Sequence, residues 1–152
     1  MFRKKILAIL AATTMVTTIG ETVPVMAANT ADTTYRVTVE SSMGVFKSVL
    51  ERDKQNNSKV YVNISNSPTL YTRVRVYGSR NTSVFYNETR GTTAVVQKGV
   101  PSSITNYCYE NRKPNFTYVL AKVGFRSSSS SISGPVEGVW SPDSSREYTV
   151  VN

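Results

Sequence analysis

The chain has 152 residues, with 18 Lys and Arg against 10 Asp and Glu, one cysteine and no histidine. Without histidine a Ser-His-Asp triad, a Cys-His pair and the usual zinc cages are excluded, and acid–base work near neutral pH falls to carboxylates. With one cysteine no disulfide can close within the chain, so stability has to come from packing and strand ladders.

The chain opens as a secretory signal peptide. Arg3, Lys4 and Lys5 form a positive head, Ile6 to Gly20 an apolar stretch diluted by threonines, and Val25 and Ala27 occupy the small-residue positions before a cleavage point. Cleavage is expected after Ala27, with Ala28 as the alternative. An undiluted apolar run of about 18 residues, enough to span a bilayer, is missing. No cysteine follows that could carry a lipid, and "SSREYTVVN" holds no sorting or retention signal, so a released product is expected. Removing 27 of the 152 residues leaves 125, one domain spanning 28–152. The removed part holds three basic residues and one acidic residue, which leaves 15 and 9 and a net charge of +6. Such a charge favours loose association with anionic partners and selects none.

From there the sequence alternates with a period of two, and six to eight short runs are punctuated by Gly, Pro, Asn and Ser. "TYRVTVE" places Tyr35, Val37 and Val39 on one face. "GVFKSVLER" (Gly44 to Arg52) reads as an edge strand and "DKQNNS" as a polar loop. "KVYVNIS" points Val60, Val62 and Ile64 inward. After "NSP", "TLYTRVRVY" splits into Leu70, Thr72, Val74 and Val76 on one side and Tyr71, Arg73, Arg75 and Tyr77 on the other. Then come strands in "TSVFYNETR" and "TTAVVQKG". "NFTYVLAKVGF" (Asn115 to Phe125) should be central, with Val119, Ala121, Val123 and Phe125 in the core. "SSSSSIS" is a loop, and "GPVEGVWS" a last strand bearing Trp140. Together these predict an all-β fold, a single antiparallel β-sandwich, Ig-like or jelly-roll-like, of about seven strands.

The row Tyr71, Arg73, Arg75 and Tyr77 is the one pattern that suggests a surface. If Lys59–Ser65 and Tyr71–Tyr77 form a hairpin with a five-residue loop, Tyr61 stands opposite Arg75 and Asn63 opposite Arg73. Tyr61 then joins a basic, aromatic face suited to a polyanion or a sugar polymer. The same face also satisfies itself, since phenols and guanidiniums stack across strands. Catalytic patterns are missing by comparison. Asp32, Glu40, Glu51, Asp53, Glu88, Glu110, Glu137, Asp143 and Glu147 are scattered singly, where a glycosidase needs a convergent pair and a calcium loop needs short regular spacing. Cys108, between Tyr107 and Tyr109 with no cation nearer than Arg112, reads as a small buried hydrophobe. Five N-x-[ST] sequons, at Asn56, Asn63, Asn81, Asn87 and Asn115, read as chance products of an Asn- and Thr-rich chain.

"YCYENRKPN" (Tyr107 to Asn115) and "VEGVWSPDS" (Val136 to Ser144) resemble segments of small secreted proteins of Gram-positive bacteria. These have a signal peptide, an Asn/Ser/Thr-rich β body, a tyrosine-rich "NY-x-YEN" stretch and a late "SG-x-WSPDS". The resemblance implies secretion and a β fold, and no activity. This chain differs from them in continuing with "SREYTVVN", and in carrying Arg112 and Lys113 where a glycine and an aromatic residue are expected. The motif residues read as structural. Trp140 should be core, Pro142 should stop the ladder, Asp143 should accept from the following backbone N–H groups as an Asx turn, and the hydroxyl of Tyr107 or Tyr109 should anchor a loop.

The expected function is therefore a secreted, monomeric, non-enzymatic sandwich that acts by contact at the cell envelope, with no cofactor and no metal. Its expected partner is an anionic envelope polymer, a membrane surface or another protein, and no specific nucleic acid. A bacteriocin-like or toxin-like effector, a carboxylate-based hydrolase and a purely structural extracellular or matrix component are the alternatives.

Overall fold

The computed structural model describes residues 29–41 and 45–152. The expected signal segment, its cleavage point after Ala27, and Gly44 lie outside the described residues. Among the described residues there is no helix, and eleven strands run in the order β1 (Thr33–Val39), β2 (Lys47–Ser48), β3 (Arg52–Lys54), β4 (Val60–Asn66), β5 (Tyr71–Gly78), β6 (Tyr86–Asn87), β7 (Ala94–Gln97), β8 (Ser102–Ile104), β9 (Val119–Ser127), β10 (Gly134–Ser141) and β11 (Thr149–Val151). They form two sheets packed face to face. The first has the order β1-β10-β4-β8-β11. The second has the order β2-β9-β5-β6, with β3 also on β9 and β7 also on β5. All pairs are antiparallel except β8 with β11, which are parallel.

The all-β sandwich is as the alternation predicts, with more strands than the expected seven because several are only two or three residues long. The core lies between the sheets. Val60, Val62 and Ile64 meet it from the first sheet, and Val74, Val76, Val119, Ala121, Val123 and Phe125 from the second, all fully buried. Tyr35 of β1 stacks on Phe125 of β9 at 4.6 Å between ring centres, so the two sheets are pinned by an aromatic pair. Trp140 is 1% exposed and belongs to this core; removing such a side chain costs about 3–5 kcal/mol.

Five sequence expectations are corrected. First, β4 and β5 do not form a hairpin; they lie in different sheets. Residues 67–70 carry the chain across the sandwich, closed by a 2.9 Å hydrogen bond between the hydroxyls of Ser67 and Thr72. A period of two fixes which face of a strand is apolar, and two apolar faces are satisfied equally by lying opposite each other across a core. Second, "DKQNNS" is not a simple loop. Asp53 and Lys54 are in β3, and the Lys54 side chain is completely buried.

Third, "TSVFYNETR" forms strand only at Tyr86–Asn87. Side chains there satisfy the backbone locally, as when Thr89 N–H bonds Asn87 Oδ1 and Thr82 Oγ1 bonds the Ser79 carbonyl, which competes with a ladder. Fourth, β10 is not the last strand, since β11 follows it on the edge of β8. Fifth, "NFTYVLAKVGF" becomes strand at Val119 and not at Asn115, because a turn closed by the Phe116 N–H and the Lys113 carbonyl (3.1 Å) precedes it.

Candidate functional site

The outward face of the second sheet follows directly from its inward one. With Thr72, Val74 and Val76 buried, Tyr71, Arg73, Arg75 and Tyr77 must point away from the core. The same holds for Leu120, Lys122, Gly124 and Arg126 of β9. Register places Arg73 opposite Arg126, Arg75 opposite Gly124 and Tyr77 opposite Lys122. Three guanidiniums and an ammonium therefore lie on two adjacent strands, with side chains on one strand roughly 6.6 Å apart.

Aromatic planes support these cations. Phe46, just before β2, lies under both Arg75 (4.4 Å from guanidinium carbon to ring centre) and Arg126 (4.7 Å). Lys122 Nζ sits 3.9 Å from the ring centre of Phe85. Arg75 Nε also donates to Thr93 Oγ1 at 3.0 Å, which fixes the direction of its planar fork. Gly124 makes this convergence possible, since a Cβ there would lie 2.8 Å from the Tyr77 ring and 3.2 Å from the Cβ of Phe46. Arg73 and Arg75 are half-buried because their stems lie flat on the sheet.

Arg73 and Arg75 take part in no salt bridge among the described residues. The pKa of Arg126 is pushed down, first by burial and then by the like charges of Arg73 and Arg75, with Tyr77 opposing. On the strands of this face the only carboxylate is Asp53, at the edge opposite Leu120. The arrangement is a flat positive field with its forks held in place, which suits bidentate contact to phosphate or carboxylate groups.

The five residues expected to share a face do not all do so. Tyr71, Arg73, Arg75 and Tyr77 are together. Tyr61 is on the other sheet, opposite Ser103 and Ser141. It is 7% exposed, because Tyr148 of the C-terminal segment stacks on it at 4.7 Å. There it lines a separate pocket of about 220 Å³ with Thr30, Asp32, Ser141, Arg146 and Tyr148. Phe46, Lys122 and Arg126 are site members that sequence reasoning missed. The alternation that put Val119, Ala121, Val123 and Phe125 in the core implies that Lys122 and Arg126 face outward, but their placement beside Arg73 depends on strand pairing.

Of the remaining motif residues, Trp140 and Asp143 are buried, while Asp143, Tyr107 and Tyr109 make contacts other than those expected. Asp143 is buried and does not make an Asx turn. Its Oδ2 accepts from the backbone N–H groups of Asn29 and Gln55 (3.0 Å each), and its Oδ1 from Lys54 Nζ (3.1 Å) and Ser58 Oγ (3.4 Å). Pro142 follows the end of β10, and its carbonyl accepts from Lys54 Nζ at 2.8 Å. Tyr107 is exposed and Tyr109 is held through its ring, with Arg112 stacked 3.8 Å above it; neither hydroxyl makes a hydrogen bond among the described residues. Anchoring of this segment comes instead from Asn111, whose side-chain amide donates to buried Glu88 at 2.6 Å. Cys108 is fully buried, and burial pushes its pKa up to about 12, so the thiol is not activated.

A family model described as "Protein of unknown function (DUF2712)" matches residues 23–144. No curated protein and no solved structure matches the chain. The match includes both sheets except β11, which lies beyond its last residue.

Proposed function

The chain belongs to the DUF2712 family, a family of unknown function, and we propose that it is a secreted, non-enzymatic binding protein whose outer β5–β9 face holds an anionic envelope polymer. The observation that carries this reading is the clustering of Arg73, Arg75 and Arg126 on neighbouring strands, where burial and then the like charges of Arg73 and Arg75 push the Arg126 pKa down. Ordinary surface design intersperses opposite charges. A face that keeps like charges together, and stiffens them with Phe46 and Thr93, is suited to an external polyanion. The signal-like first 27 residues supply the route to such a partner, and the "WSPDS" and "YCYEN" segments give the rigid frame on which the face is displayed.

The test is binding of the protein to an immobilised polyphosphate and to purified anionic wall polymer across a salt series. Binding should weaken steeply as salt rises, because exposed charges are screened beyond about 8 Å at physiological ionic strength. Arg73→Gln with Arg75→Gln should remove at least about nine-tenths of the binding, with stability changed by about 1 kcal/mol or less, a margin that includes the lost Thr93 bond. Salt-independent binding, or full binding by the double variant, would overturn the reading.

A further inference from the structure

Beyond that face, the end of the second sheet where β5 finishes and β9 begins carries two loops, residues 79–85, which lead into Tyr86 of β6, and residues 111–118. In the first, Arg80 and Asn81 both have positive φ (49° and 55°), and the Thr82 N–H bonds the Ser79 carbonyl at 2.9 Å. Such turns usually hold Asn-Gly, and an arginine there is strained. The strain is held by several contacts. Arg80 Nε bonds Glu88 Oε1 at 2.5 Å, and its guanidinium covers the Tyr86 ring at 4.4 Å. Asn81 ties the two loops together, donating to the Tyr118 carbonyl (2.9 Å) and accepting from the Lys113 N–H (3.1 Å). In the second loop Arg112 Nε bonds the Phe116 carbonyl at 2.8 Å.

What these rigid loops present is unusual for a surface. Val84 (53% exposed), Tyr86 (41%), Phe116 (43%) and Tyr118 (38%) stand open to solvent on tied neighbours. Residues 79–88 and 107–118 contribute Arg80, Arg112 and Lys113 against Glu88, which is buried beneath Arg80 and pairs with it, and the exposed Glu110, so the outward cations are Arg112 and Lys113. We propose that this loop pair docks the protein onto an anionic lipid bilayer. Phenol and phenyl rings sit favourably at the depth of lipid headgroups, and neighbouring Lys and Arg are drawn to anionic ones. A soluble polymer gives no reason to expose Val84 and Phe116, whereas a bilayer uses the apolar tips and the cations together.

Co-sedimentation with phosphatidylcholine vesicles, and with vesicles containing about 30% phosphatidylglycerol, tests this. The protein should pellet with the anionic vesicles and stay in solution with the neutral ones. Phe116→Ser and Lys113→Glu should each lower partitioning about tenfold, with Trp140 emission unchanged as the check on folding; Tyr118→Ser is the replacement if Phe116→Ser misfolds. Arg73→Gln with Arg75→Gln should still pellet, and Phe116→Ser should still bind polyphosphate, so this proposal and the polymer reading fail separately. No pelleting with anionic vesicles, or equal pelleting by the Phe116 and Lys113 variants, would overturn it. So would self-association that Phe116→Ser abolishes without any vesicle binding, which would make the patch an interface between copies of the chain.

Discussion

The Asp143 and Lys54 side chains are both fully buried, and every polar atom of each side chain is hydrogen-bonded. Lys54 donates to the Ser58 carbonyl (2.5 Å), the Pro142 carbonyl (2.8 Å) and Asp143 (3.1 Å), so three ammonium protons meet three acceptors. Burial pulls the lysine pKa down, and Asp143 opposes that pull. Leaving one such charge alone costs about 3–5 kcal/mol, whereas replacing both by apolar groups of similar volume is far milder. Asp143→Asn should therefore cost about 3–5 kcal/mol in urea unfolding. Lys54→Met with Asp143→Leu should cost clearly less than the two single losses added together. A single-variant effect within about 0.5 kcal/mol would show that the pair is not structural. The sequence marks Asp143 as an acceptor, because an acid after Pro142 invites a turn. Its true donors lie far away in the chain, and Lys54 sits in a run whose polarity reads as loop, so neither half of the pair was legible.

At the scale of elements, alternation identified the faces of β1, β4, β5 and β9 correctly, while partners and short strands stayed hidden. β8 is Ser102, Ser103 and Ile104, all buried; two small hydroxyl residues give no apolar signal, yet they allow close packing on both sides. β10 shows a second kind of hidden constraint. Its register against β4 shifts between Glu137 and Gly138, from Glu137 opposite Asn66 to Gly138 opposite Ile64. The shift brings the Asn63 carbonyl so close to Gly138 that a Cβ would overlap it. That obstacle is backbone in the middle of a sheet and cannot swing away. Gly138→Ala should thus cost about 3 kcal/mol or more, beyond the usual range for one added methyl group. A thermal unfolding midpoint within a degree or two of the parent would refute the bulge geometry. At Gly124, by contrast, the nearest atom to an added Cβ belongs to the Tyr77 ring, which can give way.

For the whole molecule, the two sheets differ in how they meet solvent. The first pairs its outward charges, as with Arg36 and Glu137 at 2.7 Å. The second keeps Arg73, Arg75, Arg126 and Lys122 together and continues into the aromatic loops. The half of this site that lies on β5 could be read from the sequence; the half contributed by β9 and Phe46 required the fold. Closure of the sandwich is also a whole-chain property. β1 pairs only with β10, with Thr33 opposite Trp140, and the Asn29 N–H reaches Asp143 across 114 positions. A chain ending at Ser133 should accordingly lack fixed tertiary structure, seen as collapsed amide dispersion in its proton–nitrogen spectrum; a well-dispersed spectrum would show that β1 needs no partner.

That long-range closure has a bearing on the order of synthesis. A nascent chain emerges with β1 first, and β1 then waits, unpaired, while nearly everything else is made. Contacts between distant segments form slowly, because the loop between them must close before they contribute any stability. Trp140 and Asp143 arrive late, and with them come the core side chain and the carboxylate that fasten β1 and the residues before it to β10. Until β10 is made, β1 has no strand to pair with and the first sheet stays open along that side, so the segment from Gly134 to Asp143 acts as the latch that closes it.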